Sequence, residues 1–118
     1  LVAGTSGWVK IDFGSSVAIT GIRMVCPGFG VTTAFKDFTI EGSNDNSSWT
    51  TLATVTNETT WVLGVPKTYT FSANYRYYRF NCTANNGNAS FVGISEVLFV
   101  VASGSSRLIH PMSQQVIG

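Results

Sequence analysis

No window of helical length in this chain carries apolar residues at i, i+3, i+4 and i+7, whereas apolar and polar residues alternate with period two in one short run after another. Alternation of that kind turns successive side chains to opposite faces of an extended strand, so the apolar set is buried only when strands stack into sheets. Val9, Ile11 and Phe13 mark a first strand, Ile22, Met24 and Cys26 a second, Phe38 and Ile40 a third, and Trp49 to Val55 a fourth. Tyr69 with Phe71, Tyr78 with Phe80, and Ile94 to Val101 follow. Gly14-Ser15-Ser16, Pro27-Gly28, Asn57, Gly64-Val65-Pro66 and Asn85-Asn86-Gly87 supply the turns between them. The pattern predicts an all-β fold, a two-sheet antiparallel sandwich of jelly-roll type. Its expected core is Val9, Ile11, Phe13, Ile22, Met24, Phe38, Ile40, Phe71, Tyr78, Phe80 and Leu98.

A chain of 118 residues holds one domain. That domain is expected over residues 1–102, where the alternation stops. Ser103-Gly104-Ser105-Ser106 has linker composition. The tail 103–118 then carries Ile109, Met112, Val116 and Ile117 without periodicity or obvious partners. Left in water, each would forgo roughly 1.5 to 3 kcal/mol of burial. The tail is therefore expected to lie outside the sandwich, against a neighbouring domain or chain.

Charged residues make up 11% of the chain and the net charge is +1, which excludes a nucleic-acid or anionic-membrane surface built on clustered Lys and Arg. The longest uninterrupted apolar run, Val97 to Ala102, is far too short for membrane insertion. Abundant Ser, Thr, Asn and Gly suit an extracellular or virion surface. Cys26 and Cys82 each end a strand pattern on its apolar side, which permits one disulfide or two buried free thiols. The only histidine, His110, falls in the tail, and Asp and Glu total six, so no nucleophile, base and orienting group are set out along the chain. Two carboxylates meeting from different strands remain the one catalytic arrangement that spacing leaves open. The expectation is a protein that is not an enzyme.

Four markers occur in a fixed order. Trp8-Val9-Lys10-Ile11-Asp12-Phe13-Gly14 is followed by Ile19-Thr20-Gly21-Ile22; Phe38 to Val55, FTIEGSNDNSSWTTLATV, reads as a hairpin closed by Trp49; then come Tyr75-Arg76-Tyr77-Tyr78-Arg79-Phe80 and Gly93-Ile94-Ser95-Glu96-Val97. Together they resemble discoidin-like domains, also called coagulation factor type C domains, whose relatives include the family 32 carbohydrate-binding modules. The resemblance runs from about Gly7 to Val101 and implies a galactose-binding-like sandwich. It also implies a longer amino-terminal portion than the seven residues before Trp8, so the chain is expected to be a fragment, or to have that strand supplied by another chain.

In such sandwiches the ligand lies at the loops of one end. Here those are Pro27 to Phe35, with Phe29 between glycines offering a flat face to a sugar ring, and Asn81 to Phe91, with Asn85, Asn86 and Asn88 offering amides to sugar hydroxyls. Arg79 and Asn81 point away from Tyr78, Phe80 and Cys82, and Arg23 away from Ile22 and Met24, so these are expected to flank the site. Trp8 and Trp49 are read as core, and Trp61 as a packed loop residue or a ligand contact. The resemblance implies a structural calcium where the closing strand meets the amino-terminal loop, with Glu96 as its metal ligand; a hydrogen-bonded glutamate is the plainer reading of that residue. The expected function is a non-catalytic carbohydrate-binding or adhesion module, its partner a glycan, in a larger surface or virion protein such as a bacteriophage tail or capsid protein. The alternatives are a structural decoration domain that binds a protein neighbour, and an accessory domain of a glycoside hydrolase.

Overall fold

The computed structural model describes residues 2–26, 30–94, 96–102, 106–109 and 115–117, with side chains described over 4–26, 30–94 and 96–102. The strands are β1 (Val2–Ala3), β2 (Gly7–Val25), β3 (Phe35–Ser43), β4 (Thr50–Val55), β5 (Lys67–Asn85), β6 (Phe91–Val92), β7 (Glu96–Val101), β8 (Ser106–Ile109) and β9 (Gln115–Ile117). Every pairing among them is antiparallel. A 3₁₀ turn at Val31–Thr33 is the helical element among the described residues, and no helix there is long and apolar enough to cross a membrane.

Two strands of 19 residues organise the molecule. β2 and β5 pair from Gly7↔Cys82 to Met24↔Lys67, with a register shift between Asp12 and Val17. Gly14 sits inside that irregularity with φ 81°, and the Asp12 carboxylate accepts its N–H at 2.8 Å. The opposite side is locked by Arg76, whose Nε and Nη2 donate to Asp12 at 2.8 and 3.0 Å. Bulges bend strands, and here both strands pass from one leaf of the sandwich into the other. One sheet, ordered β4-β3-β5-β2-β7-β8 with β9 also on β2, thus folds over on itself. The first leaf holds β4, β3, the second half of β5, the first half of β2 and β9; the second leaf holds the remaining halves with β7 and β8. What reads in sequence as a turn at Gly14-Ser15-Ser16 between two strands is this bulge within one.

Ile11, Phe38, Ile40, Tyr78 and Phe80 face inward from the first leaf, and Ile22, Met24, Val97 and Phe99 from the second, all buried. Phe99 joins the leaves: its ring centroid lies 5.1 Å from Phe13, 5.5 Å from Tyr78 and 6.1 Å from Phe80. The Tyr78 hydroxyl donates to Val17 O at 2.7 Å and accepts from Tyr75 N at 3.1 Å, satisfying backbone groups that the bulge leaves unpaired. Most of the expected core is as read. Leu98 is a correction. It is half-buried on the outer face, because the pairings Met24↔Val97 and Ile22↔Phe99 put Val97 and Phe99 inside instead. Phe13 and Phe71 are also only half-buried, packed against the core's edge.

Gly42 does not break the third strand as its residue type suggests. β3 runs through it, and a Cβ there would lie 2.4 Å from Cδ2 of Tyr75, so the aromatic ring occupies the space a side chain would need. The following turn is closed by Asp45, whose carboxylate accepts the N–H groups of Ser47 and Ser48 at 2.9 and 2.7 Å. Those bonds, Ser48's first, hold its carboxyl down to about 2.

Cys26 and Cys82 are buried free thiols. Burial pushes the Cys82 thiol up to about 11 and raises Cys26 as well. The tail departs from expectation where it is described. The backbones of Ser106–Ile109 and Gln115–Ile117 pair with β7 and with Val9 to Ile11 of β2, joining the chain's own sheet. The side chains of Ile109, Met112, Val116 and Ile117 lie outside the described residues.

Candidate functional site

The two loops expected to meet do meet. Asn86 N donates to Ala34 O, Asn88 N to Thr32 O and Gly93 N to Thr33 O, at 3.1, 3.1 and 3.0 Å, so residues 31–34 and 85–93 form one cluster at an end of the sandwich. Gly4 N donates to Ser90 O at 2.7 Å and β1 pairs with β6, bringing the amino-terminal segment to the same place. Phe29 lies outside the described residues.

Inside this cluster the asparagine amides are largely spent on the loop itself. Asn85 is buried, donates from Nδ2 to Asn88 O and Phe91 O at 2.7 Å each, and accepts from Gly87 N at 3.0 Å. Asn86 Nδ2 reaches Ala34 O, Phe35 O and Glu58 O at 3.1, 3.3 and 3.0 Å, tying three segments together. Asn88 accepts from Ser90 N and Phe91 N with Oδ1, and its Nδ2 makes no hydrogen bond among the described residues. Asn86→Ala is therefore expected to cost about 1–3 kcal/mol, since it strips hydrogen bonds from partly buried carbonyls. A loop asparagine without such bonds would be replaced at little cost. Urea unfolding measures the difference, and a loss under about 0.5 kcal/mol, the usual effect of a surface change, would mean water replaces the amide freely.

The residue that reading by sequence missed is Phe91. Its backbone is fixed by Asn85, Asn88 and Ala3, yet the residue is 45% exposed; Val31 and Thr32 of the same cluster are exposed as well. An aromatic ring held in water on a locked frame is the kind of surface that stacks on an apolar ligand face. The only hint in the sequence was its place at the end of the Asn-rich loop.

The flanking residues scatter. Arg79 and Asn81 do face outward, on the first leaf, but Arg23 faces outward on the second, beyond the core from them. Arg79 belongs to a compact network: its Nη2 donates to Glu41, Glu41 also accepts from the Thr39 hydroxyl, and the guanidinium lies 4.1 Å from the Trp49 ring centroid. Trp49 and Trp8 are half-buried on this outer face, not in the core, Trp8 with Lys10 Nζ at 5.7 Å from its ring. Trp61 is packing: it is buried and its indole N–H donates to Phe35 O at 2.8 Å. Glu96 shares a cleft of about 280 Å³ with Arg23, Val25, Gly64, Pro66 and Leu98. Calcium takes six to eight oxygen ligands, and among the described residues no three His, Cys, Asp or Glu side chains gather anywhere. The cleft at Glu96 offers one carboxylate beside a guanidinium and hydrocarbon.

The described residues form an antiparallel β-sandwich with a hydrogen-bonded loop cluster at one end, on which Phe91 is exposed. The chain belongs to the F5/8 type C domain family, whose profile matches residues 2–97. No curated protein sequence matches it. Among solved structures it is similar to CBM32-3 from a family 31 glycoside hydrolase of Clostridium perfringens, at 20% identity and TM-score 0.67, covering 84% of this chain and 69% of that one. It is also similar to CpGH89CBM32-5 of the same organism, solved with GalNAc-β-1,3-galactose, at 13% identity and TM-score 0.59 over 77% and 69%. Chitosan-binding module 2 of a chitosanase/glucanase from Paenibacillus sp. IK-5, solved with chitotriose, gives 21% identity and TM-score 0.56 over 86% and 67%.

Proposed function

We propose that this chain is a non-catalytic carbohydrate-binding module that takes a glycan at the loop end, with the Phe91 ring as platform and the Asn88 amide beside it. The observation that carries this reading is the exposed Phe91 on a cluster whose own hydrogen bonds hold it rigid, so that binding costs little ordering. Relatives solved with GalNAc-β-1,3-galactose and with chitotriose support a sugar as the ligand. The low charge and hydroxyl-rich composition support a place in a larger extracellular, cell-surface or virion protein. On a glycan array that includes both sugars, the parent chain is expected to bind and Phe91→Ala to lose at least about tenfold in affinity, about 1.4 kcal/mol, with unfolding shifted by no more than about 0.5 kcal/mol. Equal binding by the two proteins would place the sugar elsewhere.

A structural module that docks a protein neighbour is the second reading. The turn Val62 to Val65, closed by Val65 N donating to Val62 O, exposes Val62, Leu63 and Val65, an aliphatic tip with no sugar-binding chemistry. An array on which no glycan is retained would favour it.

A further inference from the structure

One rung of side chains crosses four strands on the outer face of the first leaf. Thr54 pairs with Thr39, Thr39 with Asn81 and Asn81 with Trp8, so these four stand side by side on β4, β3, β5 and β2. At about 4.8 Å between strands the rung spans roughly 14 Å, the length of a short oligosaccharide. Two clefts open along it. One of about 390 Å³ lies between Ser6, Trp8, Asn81 and Thr83, and one of about 140 Å³ between Thr39, Thr54, Thr56, Asn81 and Thr83. Asn81 and Thr83 form the ridge the clefts share.

From this geometry we infer a second glycan-binding surface, running from Trp8 across Asn81 to Thr54 and taking a neutral oligosaccharide. The Asn81 amide and the Trp8 indole N–H make no hydrogen bond among the described residues, although both side chains are half-buried. A half-buried primary amide offers two donors and an acceptor at once, which matches vicinal hydroxyls. Thr39 and Thr83 use their hydroxyl hydrogens internally but keep lone pairs, and Thr54 and Thr56 are exposed. The neighbouring rung forms a wall: Arg79 is neutralised by Glu41 and stacked on Trp49, and Lys10 donates to Asn46 at 2.8 Å. Arg79 Nε is buried in that wall and makes no hydrogen bond among the described residues, so it is closed to a ligand. Among the described residues the cations of this face, Arg79 and Lys10, are engaged by Glu41 and Asn46, and the large exposed hydrophobic side chains lie elsewhere, so neither an anionic ligand nor a protein strand fits as well as a polyol.

This surface is separate from the loop end and does not depend on it. The test is a titration of the isotope-labelled chain with chitotriose and with GalNAc-β-1,3-galactose, followed at the Trp8 indole and Asn81 side-chain resonances. Saturable shifts at both are expected with at least one sugar, and Asn81→Ala is expected to weaken the Trp8 response about tenfold, an effect of about 1.4 kcal/mol, at an unchanged unfolding midpoint. Still resonances at Trp8 and Asn81 with both sugars overturn the proposal, whether or not Phe91 and Asn88 respond. A Trp8 response that is the same in Asn81→Ala overturns it too. Shifts confined to Phe91 and Asn88 would leave the loop-end reading standing alone, and shifts confined to Trp8 and Asn81 would leave this one.

Discussion

Phe99→Ala is expected to destabilise the domain by about 3–5 kcal/mol, the range for removing a buried aromatic ring and leaving a cavity. Phe99 is fully buried on β7 and touches Phe13, Tyr78 and Phe80 at ring-centroid separations of 5.1, 5.5 and 6.1 Å, so one ring fastens the second leaf to the first. A loss of that size is a large share of the roughly 5–15 kcal/mol that holds a domain together. Urea unfolding should show a lower midpoint at an unchanged slope. Leu98→Ala is the control. It removes a smaller aliphatic group one residue away, on the outer face, and should cost far less. Equal losses at the two positions would contradict the pairing of Met24 with Val97 and Ile22 with Phe99, because a one-residue slip exchanges the faces of a strand.

Arg79→Ala is expected to cost about 2–3 kcal/mol. Glu41 is only 7% exposed, and its carboxylate is balanced by the Arg79 guanidinium and the Thr39 hydroxyl. Removing the cation strands a buried negative charge, which costs about 3–5 kcal/mol in a fully buried pair; Arg79 retains 27% of its side-chain surface, so water takes up part of that charge. The loss is a desolvation cost and not the worth of the ion pair. The double variant Glu41→Gln with Arg79→Ala should therefore recover most of it, since no charge is then left behind. A thermodynamic cycle over the single and double variants measures the coupling. An Arg79→Ala protein within about 0.5 kcal/mol of the parent would show that Glu41 needs no cation. The Trp49 stack is lost in both variants, so it does not blur the comparison.

Period two was enough to place the five longest strands, β2, β3, β4, β5 and β7, because backbone pleating makes burial alternate whatever the topology. The family followed from four motifs whose order is a property of the chain, and the meeting of residues 31–34 with 85–93 followed from strand direction in an antiparallel sandwich. Other features were hidden for identifiable reasons. Val97 to Val101 is apolar at every position, so alternation offered no choice between Leu98 and Phe99, and only pairing with β2 decided it. Gly14-Ser15-Ser16 has turn composition, but Asp12, Arg76 and the Tyr78 hydroxyl hold it as a bulge inside one strand. Asn85 and Asn86 look alike in sequence whether an amide binds a ligand or a loop. Their role depends on carbonyls as far as 52 residues away.

Residue types and their spacing thus determined the all-β class, the family and the loops that meet, since these rest on local backbone preference and on side-chain alternation. Tertiary structure alone decided which face of β7 is inside, that Phe91 stands in water while its backbone is held, and that Trp8, Asn81, Thr39 and Thr54 form one rung. Register across strands distant in sequence is set by the sum of all the pairings, and no local pattern encodes it.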